Sequence, residues 1–275
     1  TLKYFFYSKL LLYLRYQHKQ LTTRLTMSYK FLPLVFLGFI LNLSSNKITS
    51  KSLYKSTSSK TEVAKPKKIA ENKVLSFEEK TELLYNEIEA GQYTLPNMET
   101  FIKAYEGYSA LENQGKVKNN ILTIVDFSFS STKERMWVID MENKKVVLQT
   151  LVSHGMNSGT EYAKSFSNQN ESFKSSLGFF ITGETYNGKH GISLKLDGQE
   201  YGLNDNARER AVVVHGADYV SKKLANRQGY IGRSQGCPAV APEVAKKLIN
   251  TIKNKSVLFI YHPTRKYVNK SRLVS

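Results

Sequence analysis

The chain has 275 residues, 12% of them aromatic, and a formal net charge of +17: room for one ordinary domain with added segments, and bulk enough for a core, which excludes disorder throughout. The charge does not mark a nucleic-acid face. Residues 1–45 carry six Lys/Arg and no acid (+6), residues 46–73 eight Lys against Glu62 and Glu71 (+6), and residues 74–275 the remaining 26 basic against 21 acidic side chains (+5).

Residues 1–45 read as targeting sequence. Met27-Ser28-Tyr29-Lys30 is a short positive start, 31–43 is an apolar run of 13 residues, and Ser44-Ser45 offers small residues for cleavage. This is the layout of a secretory signal peptide and too short for a membrane span. Residues 1–26 are then an upstream extension, and the protein is expected in the periplasm or cell envelope, touching membrane only through an uncleaved leader. Residues 46–73, rich in Ser, Thr and Lys, read as a flexible tether.

Residues 74–115 carry two helices. Ser76 and Glu79 form a capping-box pattern ahead of Leu83, Leu84 and Ile88, and Asn97 caps a second stripe of Phe101, Ala104, Tyr105, Tyr108 and Leu111. These are expected to support the domain that follows, over 116–265. Strands are expected at 121–127, 136–141, 146–152, 178–182, 211–215 and 257–262, with a hairpin turn at Glu142-Asn143-Lys144. A short helix is expected over 217–225. A longer one should start at Pro242, with Val244, Ala245, Leu248, Ile249 and Ile252 inward. The fold class is mainly β, a sandwich or barrel with helical support before it and a helix after the sole cysteine; 266–275 is read as a tail.

One cysteine excludes an intrachain disulfide, and in an exported protein a lone thiol is expected either deeply buried or chemically employed. A β-branched run ends in His215-Gly216, which puts His215 at a strand mouth, and Cys237 closes the segment Gly232-Arg233-Ser234-Gln235-Gly236-Cys237-Pro238. Glycine-rich turns expose N–H groups that can hold an oxyanion. Pro238 has no N–H to give, so the donors must come from Cys237 with Gly236 or Gln235. Histidine is the usual base for a thiol, and Arg233 can lower the thiol pKa or hold a carboxylate. The same two residues also read as a small buried hydrophobe and a satisfied strand-end histidine. No His pair has ligand spacing and no Cys cluster exists, so no metal and no cofactor are expected.

The stretches HGADYVS and GRSQGCPA, with LTIVDFS, SHGMNSG, SSLGFFITGETY and DNARERAVVVHGADYVS, resemble the L,D-transpeptidase catalytic domain in its Bacteroidetes-type branch, from about 121 to 263. The resemblance implies a β-rich fold acting on peptidoglycan stem peptides. Cys237 attacks the L,D bond before a terminal D-Ala, with His215 as general base and the turn of Ser234, Gln235 and Gly236 supplying oxyanion donors. A second stem's amine then resolves the thioester. Better-known members have Ser-His-Gly before the cysteine. Here Gln235 replaces that histidine, leaving open whether a backbone carbonyl or Asp218 orients His215. His154, in a second strand-His-Gly arrangement, either lines the cleft or is structural, and Tyr186 and Glu184 are candidate substrate contacts. His190 reads as a solvated loop residue, and His262 as capping the last strand. An L,D-carboxypeptidase using the same acyl-enzyme and a non-catalytic peptidoglycan-binding domain are the alternatives. A papain-like peptidase is disfavoured by chain order and a sortase by spacing.

Overall fold

A computed structural model of the protein describes residues 74–274; the leader and tether expected over 1–73 lie outside the described residues. Helix α1 (Phe77–Glu87) starts at the capping box: Ser76 Oγ accepts from Glu79 N, and the Glu79 carboxylate accepts from Ser76 N. Its expected apolar stripe holds in part: Leu84 and Ile88 pack against the core, whereas Leu83 is exposed. Helix α2 (Met98–Asn113) is capped by Asn97 Oδ1 on Glu99 N and buries Phe101, Ala104, Tyr108 and Leu111, with Tyr105 half-buried.

Among the described residues eight strands form one sheet in the order β3-β2-β1-β8-β4-β5-β6-β7. They are β1 (Ile121–Asp126), β2 (Met136–Asp140), β3 (Lys145–Thr150), β4 (Gly178–Gly188), β5 (Gly191–Gly198), β6 (Val213–Gly216), β7 (Ala239–Val240) and β8 (Val257–Tyr261). The pairs β1–β8 and β6–β7 are parallel and the others antiparallel. Asp140 Oδ1 accepts from Asn143 N in the expected turn between β2 and β3. Strands β1 and β8 are buried along their whole length, so both their faces are covered.

Helices cover those faces. Gly107 lies where α2 meets Phe179 on β4; a Cβ there would fall 2.1 Å from the ring, so only glycine permits this approach. Helix α4 (Pro242–Ile252) buries Ala245, Leu248, Ile249 and Ile252, and its last carbonyl accepts from Thr182 Oγ1 at 2.8 Å. Residues 179 and 182 have opposite parity in β4, so α2 and α4 sit on opposite faces of the sheet.

The structure departs from the sequence reading at several elements. Strand β4 runs on to Gly188 and pairs with β5, which was not expected. Strand β6 starts two residues late because Ala211 adopts a left-handed turn at φ 53. The helix expected over 217–225 is α3 (Lys222–Gln228), because Ser221 Oγ caps Leu224 N while Val220 N bonds back to Ala217 O. The segment read as a tail folds back: α5 (Arg265–Val268) buries Tyr267, Val274 is buried, and Tyr267 Oη and Ser271 Oγ donate to the buried Glu200 carboxylate.

Candidate active site

Pairing of β6 with β7 brings the cysteine to the histidine. His215 lies opposite Ala239 in parallel register. Cys237, two residues earlier, therefore comes level with Val213, whose N–H points at Cys237 Sγ at 3.4 Å. The thiol in turn faces the Ala211 carbonyl at 3.7 Å. On the other side Tyr186 pairs with Ser193, and Ser193 with His215, so these three stand in one cross-strand row. A cleft of about 440 Å³ opens over that row, and Tyr186, His190, Ser193, His215, Tyr219, Arg233, Ser234, Gln235 and Cys237 all line it.

His215 is buried and its Nδ1 donates to the Gly216 carbonyl at 2.9 Å, which leaves Nε2 as the nitrogen free to take a proton. The orienting group is thus a backbone carbonyl, not Asp218. Burial lowers the His215 pKa, against the bond to Gly216, and the His190 and Lys189 charges lower it further. Burial raises the Cys237 pKa, against the Val213 N–H and the Arg210 guanidinium. The resting pair is therefore neutral imidazole beside neutral thiol.

The turn before the cysteine is held from within. Ser234 Oγ accepts from Gly236 N at 3.0 Å and donates to the Cys237 carbonyl at 2.6 Å. Gly236 needs no side chain here: at φ 124, a Cβ would lie 2.9 Å from the Lys174 carbonyl oxygen. Ser234 is anchored at both backbone groups to the 153–158 loop, donating to the His154 carbonyl at 3.0 Å and accepting from Met156 N at 2.7 Å. The Gly236 N–H is consequently spent, and among the described residues the Cys237 and Gln235 N–H groups of the 234–237 turn have no hydrogen-bond partner. Ser234 is a brace.

His154 does not line the cleft. It is buried, its Nδ1 accepts from Arg135 at 2.8 Å and its Nε2 faces the Gly159 carbonyl at 3.3 Å, which uses both ring nitrogens. Burial first, then the Arg135 charge, hold it down to about 4. Its place in substrate contact is corrected: it supports the loop on which Ser234 hangs. Arg233 lines the cleft and donates to the Met156 and Gly159 carbonyls, each at 3.3 Å, but Arg210 is the cation that acts on the thiol. Glu184 is bound to Arg208 and Lys195 on the surface and does not line the cleft.

Sequence reasoning missed three residues. His190, read as solvated, comes round the β4–β5 turn to place its ring 4.8 Å from that of His215. Tyr219 lines the cleft against Gly232, and burial and then the Cys237 charge push its hydroxyl up to about 12, so it stays a donor. Arg210 stands behind the turn. Tyr219 follows His215 by four residues, in the loop after β6. His262 is half-buried and packs on Phe166 at the end of β8.

The family pattern described as the L,D-transpeptidase catalytic domain matches residues 93–261, well over half of the chain. The chain belongs to the L,D-transpeptidase catalytic domain family. Among solved structures, it is similar to an L,D-transpeptidase from Mycobacterium smegmatis at 14% identity and TM-score 0.32, with 52% of this chain and 59% of that one covered. It is also similar to a mutant L,D-transpeptidase from Enterococcus faecium (16% identity, TM-score 0.30, 53% and 50% covered). A third match is the helical cell shape determining protein Pgp2 from Campylobacter jejuni (12% identity, TM-score 0.34, 58% and 57% covered). The chain spans less than two thirds of the length of each of these. A search of curated protein sequences found no match. This L,D-transpeptidase domain has, among its described residues, no group of His, Cys, Asp or Glu arranged to hold a metal, and no helix long and apolar enough to cross a membrane.

Proposed function

We propose that this protein is an exported, cysteine-dependent peptidoglycan L,D-transpeptidase. The observation that carries the reading is that His215 on β6 and Cys237, two residues ahead of the paired strand β7, line one cleft beside two unspent N–H groups of the turn. His215 Nε2 takes the thiol proton and Sγ attacks the carbonyl of the third stem residue. The Cys237 and Gln235 N–H groups hold the oxyanion, and the Tyr219 hydroxyl stands by as a further donor. As the tetrahedral intermediate collapses, His215 returns the proton to the leaving D-Ala amine. An amine of a second stem then attacks the thioester, losing its proton to His215 and releasing Sγ. Arg233 and Tyr186 form the walls available to the substrate's polar groups. No cofactor is needed, since thiol and imidazole suffice for acyl transfer. Export to the periplasm or cell envelope rests on the leader-like run at 27–45.

The test is incubation of the full chain with a disaccharide-tetrapeptide, followed by chromatography of the products, for wild type, Cys237→Ala and His215→Ala. A crosslinked dimer with D-Ala release that both substitutions abolish supports transpeptidation. Tripeptide without dimer replaces it with L,D-carboxypeptidation. No turnover by folded wild type leaves a peptidoglycan-binding domain.

A further inference from the structure

Burial works against both charged forms of the catalytic pair, lowering the His215 pKa and raising that of Cys237, so the thiolate–imidazolium state needs support from elsewhere. The segment 210–213, which runs into β6, carries two groups that contact the sulfur and a cation beside the turn that bears it. The Ala211 carbonyl accepts from the thiol, and the Val213 N–H points at the sulfur. The third group, Arg210, is half-buried behind the turn, with Nη2 3.4 Å from where a Gly236 Cβ would be. Its guanidinium is fastened on the far side. Nη1 donates to the Ser167 carbonyl at 2.9 Å and to Ser176 Oγ; Nη2 donates to the Lys174 carbonyl at 2.7 Å and to Ser172 Oγ at 3.3 Å. All four partners are neutral, and no carboxylate among the described residues pairs with it. A half-buried cation with a full set of neutral acceptors keeps its charge uncompensated. It lies against Gly236, the residue immediately before the nucleophile.

We infer that Arg210 is the positioning residue that stabilises the Cys237 thiolate, with segment 210–213 acting as a two-state seat for the sulfur. In the resting seat the S–H faces the Ala211 carbonyl. When the proton passes to His215 Nε2, the sulfur becomes an acceptor, and the Val213 N–H and the Arg210 charge hold it until it attacks. Proton and charge balance: the thiol loses what the imidazole gains. The mutual effect of the two groups has the sign this requires, since Arg210 lowers the Cys237 pKa and the sulfur raises that of Arg210. The other titratable or charged groups facing the thiol are His215 and Tyr219 from β6 and the loop after it, Arg233 from the turn, and Tyr186, Lys189 and His190 from the β4–β5 hairpin. Arg233 is tied to the 156–159 loop and is not among the groups that shift the sulfur.

The inference deepens the proposed transpeptidase reading, and its test does not depend on turnover. The chain contains one cysteine, so alkylation by iodoacetamide reports Cys237 alone. The rate is followed from pH 5 to 11 for the full chain as wild type, Arg210→Gln, Arg210→Met and Arg210→Lys, each checked for a native circular dichroism spectrum. The two uncharged variants remove the charge in different shapes, so the result does not hang on one of them folding. The expected result is a midpoint about one pH unit higher in Arg210→Gln and Arg210→Met, hence about tenfold slower alkylation at pH 7, with Arg210→Lys near wild type. An unchanged midpoint overturns the inference. So does a lower midpoint with a faster plateau, the mark of a turn merely opened to solvent. A shifted midpoint in a chain that never turns over stem peptide would sustain the role of Arg210 while ending the transpeptidase reading.

Discussion

Ser234→Ala isolates the bracing of the nucleophile's turn from its chemistry. The buried hydroxyl makes two bonds within the turn, from Gly236 N and to the Cys237 carbonyl, at 3.0 and 2.6 Å. Alanine removes both and leaves a buried donor and a buried acceptor without partners. Each bond contributes about 1 kcal/mol net, and leaving its partner unsatisfied raises the loss, so about 2–4 kcal/mol in total is at stake. For a domain of this size that lowers Tm by roughly 4–16 °C. The backbone bonds of Ser234 to His154 and Met156 survive the substitution, so the turn stays attached but loses its internal geometry. The Cys237 N–H drifts from its oxyanion position, and since a whole donor is worth about 10²–10³ in kcat, the expected fall is about tenfold to a hundredfold with KM little changed. Ser234→Thr, which keeps the hydroxyl, recovers most of both. Differential scanning calorimetry and D-Ala release kinetics measure the two effects. A Tm within about 1 °C of wild type together with kcat within about twofold would refute the bracing argument.

Three further outcomes follow from the packing and the charges. Gly107→Ala gains up to about 1 kcal/mol of helix propensity, but its Cβ would meet three Phe179 ring atoms at 2.1–2.5 Å. Overpacking of about 1–3 kcal/mol wins, so calorimetry should show a lower Tm, largely restored in Gly107→Ala/Phe179→Leu. His154 is held down to about 4, below its value of about 6.5 when unfolded, so the unfolded chain binds the extra proton between those values. The stability it contributes is whole above about pH 6.5 and falls as pH drops to about 4, by up to about 3 kcal/mol. Urea unfolding across that range should therefore show a shallower pH slope in His154→Gln. Tyr267→Ala empties a fully buried site over Phe259 and Glu200, and a loss of about 3–5 kcal/mol in urea unfolding is expected; a loss under 1 would mean that 265–274 merely rests on the domain.

What the sequence made legible was local. The Ser76–Glu79 box, the Asn97 cap, Pro242 at a helix start and the Glu142–Lys144 turn depend on residues within a few positions of one another, and all four lie where their signals put them. Strand β5 was missed although its signal was present. Ile192, Leu194 and Leu196 alternate with Ser193, Lys195 and Asp197, and that period of two marks a half-buried strand. The far half of β4 carried no such alternation, because it leaves the core and is exposed on both sides. At the site, Cys237 and His215 stood out by residue type and by resemblance, but their partners did not. Arg210 is fixed by carbonyls 36 and 43 residues away, and Gly236 loses its donor to a hydroxyl whose direction no spacing predicts. His154 carried the same strand-His-Gly signal as His215. The difference lies in the buried Arg135, just ahead of β2, whose guanidinium donates to the ring's Nδ1.

The most direct measurement of the account is intact-mass spectrometry of the full chain, quenched in acid during incubation with a disaccharide-tetrapeptide. Acyl transfer through Cys237 predicts an added mass equal to the acyl disaccharide-tripeptide on that residue, with one D-Ala released per adduct, and no adduct on Cys237→Ala. An unmodified mass in folded wild type, with no D-Ala released, would contradict it.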